Sequence, residues 1–93
     1  MTQTEKIAYA EKKMDSHKFD IEYYGRKKTL ALLEVSILND KLKALFDMNS
    51  DVSQVEILIQ DSEKQLAYHQ ERLDEAFINY NSFECYVLAS NQI

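Results

Sequence analysis

Three residues of this 93-residue chain have side chains suited to metal binding or nucleophilic attack: His17, His69 and Cys85. None has a second such residue at the i, i+4 spacing that places two ligands on one helix face. Carboxylate-bridged di-iron bundles carry glutamate three residues before each histidine, whereas Met14 and Leu66 occupy those positions here. A catalytic thiol also needs a base, an orienting group and a cleft. We predict no metal, no cofactor and no catalytic residue, with both histidines buried and Cys85 a passive thiol.

The longest basic run, Arg26-Lys27-Lys28, has the charge that a phosphate group would attract. No matching basic stripe continues along the chain at helical spacing, and Lys28 falls on the predicted core face. Sixteen acidic against eleven basic residues give a net charge of −5. We therefore predict no nucleic-acid partner.

The composition favours helices, because the chain has one glycine and no proline to form turns. The N-terminal residues contain no apolar run of the kind found in signal peptides, and no stretch reaches the roughly 18 apolar residues of a membrane helix. We predict an all-α protein with no membrane partner and a cytoplasmic location, although leaderless export would leave no mark in the sequence.

Two uninterrupted heptad patterns predict two long helices. Apolar or aromatic residues recur at the alternating spacing of three and four that is typical of a coiled-coil core. The core positions of the first pattern are Ile7, Ala10, Met14, His17, Ile21, Tyr24, Lys28, Ala31, Val35, Leu38, Leu42 and Leu45. Those of the second are Val52, Val55, Ile59, Ser62, Leu66, His69, Leu73, Ala76, Tyr80, Phe83, Val87 and Ser90. These residues together are named the seam.

The two patterns are separated by Asn49-Ser50-Asp51, three residues that favour turns and helix caps. Asp51 and Gln54 have the spacing of a capping box, and Thr2 or Thr4 can cap the first helix. The expected elements of a single domain spanning residues 1–93 are a helix at about 4–48, a turn at 49–51 and a helix at about 52–90.

Gly25 lies inside the first pattern, where glycine costs about 1 kcal/mol relative to alanine. The heptad keeps its phase across this residue, and the basic residues that follow are unfavourable at a helix N-terminus. We therefore predict a two-helix antiparallel coiled-coil hairpin. The alternative is a three-helix bundle broken near Gly25.

The two halves of the seam can be aligned without any insertion. Placing Leu45 opposite Val52 in an antiparallel hairpin brings Lys28 opposite His69. These two residues would form one polar layer in the core.

A second apolar stripe follows the back of the first predicted helix. Its members, named the outer stripe, are Phe19, Tyr23, Leu30, Leu33, Ile37 and Ala44. Arg26 and Asp40 interrupt it, and the back of the second helix is mostly polar. Burying the three large aliphatic residues would contribute roughly 5 to 9 kcal/mol per chain before the cost of association. We predict a homodimer, formed through the outer stripe as a four-helix bundle.

These features favour a non-enzymatic protein-protein interaction module, such as a small adaptor, co-chaperone or inhibitor that binds itself and another protein. The alternative is a ligand-binding helical bundle that uses the polar core layer of Lys28 and His69.

Tyr80 and Glu84 have the spacing Tyr-x-x-x-Glu. This pair is similar to the Tyr-x-x-x-Asp/Glu export signal of the small helical hairpins secreted by type VII (ESX) systems. The resemblance implies a leaderless secreted hairpin or the partner of one. The turn from Asp47 to Asp51 lacks the Trp-x-Gly of that family.

Overall fold

The computed structural model describes residues 1–92, which form two helices. Helix α1 spans Gln3–Asp47 and helix α2 spans Ser53–Asn91. They pack against each other as a helical hairpin, and the described residues contain no strand. The predicted all-α hairpin is confirmed, and each helix end lies one residue from its predicted position.

Helix α1 continues through Gly25 without a break, so the alternative of a three-helix bundle is wrong. The backbone φ of Gly25 is not positive, and its carbonyl oxygen accepts a hydrogen bond from Thr29 Oγ1 at 3.0 Å. A Cβ atom placed on Gly25 would meet nothing within 4 Å. The glycine is therefore not needed for space or for backbone conformation.

Gly25→Ala is expected to stabilise the protein by about 1 kcal/mol, because alanine favours the helix and no neighbour opposes its methyl group. The melting temperature should rise by roughly 4 to 8 °C, measured by circular dichroism. Ser16→Ala, at an exposed α1 position, is the control and should give a smaller increase. A lower melting temperature for Gly25→Ala would show that α1 needs a glycine at this position.

The C-terminus of α1 is closed at Asn49, the first residue of the turn predicted at 49–51. Asn49 adopts the left-handed conformation with φ 56°. The Ser50 N–H donates to the Leu45 carbonyl at 2.9 Å, and the Asn49 N–H donates to the Phe46 carbonyl at 3.0 Å. This pair of bonds is the Schellman motif, which asparagine tolerates better than most residues. The motif ends α1 and leads the chain towards α2.

The first turn of each helix is capped by a side chain. Thr2 Oγ1 accepts a hydrogen bond from the Glu5 N–H at 3.1 Å, as predicted for α1. Asp51 Oδ1 accepts from Ser53 Oγ at 2.7 Å and from the Ser53 N–H at 3.0 Å. The side-chain bond, followed by the backbone bond, lowers the pKa of the Asp51 carboxyl group. The bonds of Asp51 thus come from Ser53, one residue before the Gln54 of the predicted capping box.

The chain divides into two compact units, which are described separately. The turn unit comprises residues 25–70, and the terminal unit comprises residues 1–24 with residue 71 onward. The heptad patterns continue through the boundaries of the two units, so they do not indicate this division. A single domain stays a prediction, and residue 93 of its predicted range lies outside the described residues.

The seam forms the interior of both units. In the turn unit the buried residues are Ala31, Leu38, Ile59 and Ser62; in the terminal unit they are Ala10, Leu73, Ala76 and Val87. All other seam residues are half-buried. Outside the seam, the described residues are exposed except for the half-buried Asp20, Gly25, Gln70 and Glu84. Burial therefore follows the predicted heptads throughout residues 1–92.

Candidate functional site

The outer stripe is exposed in the turn unit. Leu30 is 60% exposed, Leu33 59% and Ile37 49%, and Ala44 is also exposed. Residues three or four apart on a helix are neighbours on one face, so the three large side chains form a continuous apolar surface over two turns of α1. Leu32, which was not predicted as a surface residue of interest, is exposed beside them.

The terminal unit carries the two aromatic members of the outer stripe. Phe19 is 62% exposed and Tyr23 40% exposed. Their rings stack with centroids 6.4 Å apart, and Tyr23 meets the half-buried Tyr24 edge to face at 5.0 Å. Tyr24 belongs to the seam, so the exposed Tyr23 ring is in contact with a half-buried ring. All six predicted interface residues are therefore at the surface, while their role as an interface stays a prediction.

The chain has an unusually large accessible surface for its mass. It exposes 7098 Å², whereas a folded monomer of 10.9 kDa is expected to expose roughly 5,600 Å². The difference of roughly 1,500 Å² exceeds the about 800 Å² that each partner contributes to a standard protein-protein interface. This surplus belongs to the whole chain, and the exposed outer stripe is one part of it.

Helix α2 also exposes large apolar residues, although its back is mostly polar. Ile57 and Leu58 are exposed in the turn unit, and Phe77, Ile78 and Leu88 are exposed in the terminal unit. Leu58 and Phe77 occupy heptad positions that flank the seam. Apolar residues at these flanking positions are thus the sequence signal that predicts the exposed Leu58 and Phe77.

An open groove of about 440 Å³ lies in the terminal unit. Its apolar lining includes Tyr9, Ala10, Phe83 and Tyr86. Lys13 Nζ lies 5.5 Å from the centroid of the Tyr9 ring, a cation-π contact. Sequence reasoning placed Ala10 and Phe83 in the seam but did not identify the groove, because its walls come from exposed tyrosines beside the seam.

The predicted polar layer lies in the turn unit, where Lys28 and His69 are both half-buried. The His69 ring meets Tyr68 edge to face at 5.5 Å, and its Nδ1 atom is buried without a hydrogen bond of its own. Neither Lys28 nor His69 lines the open groove described above. Their direct pairing stays a prediction.

The other residues with reactive side chains lie in the terminal unit. The His17 ring stacks on Phe83 with centroids 5.8 Å apart, and its Nδ1 atom is 3.9 Å from Asp20 Oδ2. Cys85 is an exposed free thiol. Within residues 1–92, no three His, Cys, Asp or Glu residues are grouped so that they could hold a metal ion. The described helices include none that combines the length and apolar character needed to cross a membrane.

Comparisons of the chain with protein-family models, curated proteins and solved structures found no match. Tyr80 and Glu84, which carry the resemblance to the secreted hairpins, are both half-buried in the terminal unit.

Proposed function

We propose that this protein is a non-enzymatic interaction module that binds another α-helix through the outer stripe of α1. The exposure of Leu30, Leu33 and Ile37 carries the proposal. Each such side chain gains roughly 1.5 to 3 kcal/mol on full burial. A partner that covers them therefore supplies a favourable free energy that the hairpin alone does not use.

The spacing of the outer stripe favours a helix as the partner. From Phe19 to Ala44 its positions, including Arg26 and Asp40, alternate by four and three residues. This is the pattern by which coiled-coil side chains pack into the spaces of a facing helix. The proposed module acts in the cytoplasm as an adaptor, co-chaperone or inhibitor, and its partners are a second copy of the chain and another helical protein.

Site-specific photo-crosslinking in the native host tests this function. Leu33 is replaced by p-benzoylphenylalanine, and the matched control carries the same group at Ile78, an exposed aliphatic residue of α2. We expect crosslinked protein from position 33 well above that from position 78, with mass spectrometry identifying each partner. Equal crosslinking from both positions, or none from position 33, would contradict the proposal.

A further inference from the structure

We infer that the helix bound by the outer stripe is α1 of a second copy, lying antiparallel with Leu30 opposite Leu33 of that copy. The inference rests on the proposed function and names the partner of the same surface. Because an antiparallel homodimer has two-fold symmetry, each pair occurs twice. The surplus surface of the whole chain, roughly 1,500 Å², includes the outer stripe and exceeds the about 800 Å² that each partner contributes to a standard interface.

The two charged residues that interrupt the outer stripe favour the antiparallel orientation. Arg26 and Asp40 are both exposed and lie 14 residues apart. Parallel α1 helices would place each of them opposite its own counterpart, and like charges at an interface are costly. In the antiparallel alignment Arg26 lies opposite Ile37 of the second copy, one layer from its Asp40. The long arginine side chain can then reach the carboxylate.

The charges beside the stripe select the same alignment. Lys27 of one copy lies across from Glu34 of the other, which gives two attractive pairs per dimer. Sliding one α1 helix along the other by one heptad in one direction would bring the two Glu34 residues together and place Lys27 near Lys41. The opposite shift would bring the two Lys27 residues together. Of these three alignments, the one centred between Leu30 and Leu33 avoids these repulsions. Charge thus favours one occupant, a second copy in one orientation.

Charge reversal tests the orientation, with dissociation constants measured by sedimentation equilibrium. Lys27→Glu and Glu34→Lys each convert two attractive pairs into two repulsive ones, so each variant alone should dimerise about tenfold more weakly than wild type. An equal mixture of the two variants pairs glutamate with lysine at both sites and should recover the wild-type affinity. Lys64→Glu and Glu63→Lys make the same charge changes at exposed α2 positions and should leave the affinity unchanged.

The outcomes separate this inference from the proposed function. A wild-type dimer whose variants and mixture all associate equally would overturn the antiparallel alignment. A monomeric wild type, together with crosslinking of another protein from position 33, would overturn the second copy as partner and support the proposed function. A monomer with no crosslinking from position 33 would contradict both.

Discussion

The double variant Leu33→Glu with Ile37→Glu is expected to be monomeric at concentrations where the wild type is a dimer. The change removes two exposed aliphatic side chains from the proposed interface and leaves carboxylates that association would have to bury. The lost apolar burial amounts to about 3 to 6 kcal/mol per chain, and burying the carboxylates adds a further cost. Light scattering or sedimentation measures the change in mass.

The same substitutions should preserve the hairpin, because both residues lie outside the seam. Circular dichroism should therefore show unchanged helix content. Ile78→Glu with Leu88→Glu makes two comparable changes on the exposed surface of α2 and should remain dimeric. If the α1 variant kept the wild-type mass, the outer stripe would not be the dimer interface.

The second large effect is expected in the polar layer of the turn unit. Lys28→Leu with His69→Leu should raise the free energy of unfolding by about 2 kcal/mol, because two half-buried polar side chains are replaced by apolar ones. The melting temperature should rise by roughly 8 to 16 °C. The oligomer distribution should broaden, since a polar layer penalises slipped pairings that bury one polar group against leucine.

A double-mutant cycle measures whether Lys28 and His69 face each other. Each single change should give less than half of the double effect, because it leaves one polar residue opposite leucine. Lys28→Leu combined with His17→Leu, a half-buried seam residue of the terminal unit, provides the control and should be additive. Additivity for Lys28 and His69 as well would show that the two residues do not share a layer.

The hairpin could be predicted because the relevant signals are local. Alternating spacing of apolar residues determines which side of each helix is buried, and burial follows that spacing on both helices. Thr2, Asn49 and Asp51 favour caps or turns through their own short side chains. Glycine at position 25 was correctly interpreted, because the heptad phase was a stronger signal than one unfavourable residue.

Features beside the seam were harder to predict. The groove lined by Tyr9, Phe83 and Tyr86 depends on how exposed side chains lie next to the packed helices, which heptad spacing does not specify. The capping-box pattern predicts a bond between Asp51 and position 54, so Ser53 was missed as the partner of Asp51. The Ser53 N–H and hydroxyl group lie only two residues after Asp51, and both donate to its Oδ1 atom. The outer stripe was found from the sequence since it has a heptad spacing of its own.

Sedimentation equilibrium of the wild-type protein across about 1 to 100 µM, which spans affinities typical of such small interfaces, tests the central claim most directly. A concentration-dependent approach to twice the chain mass of 10.9 kDa is the predicted result. A mass of 10.9 kDa at every concentration would contradict self-association through the outer stripe.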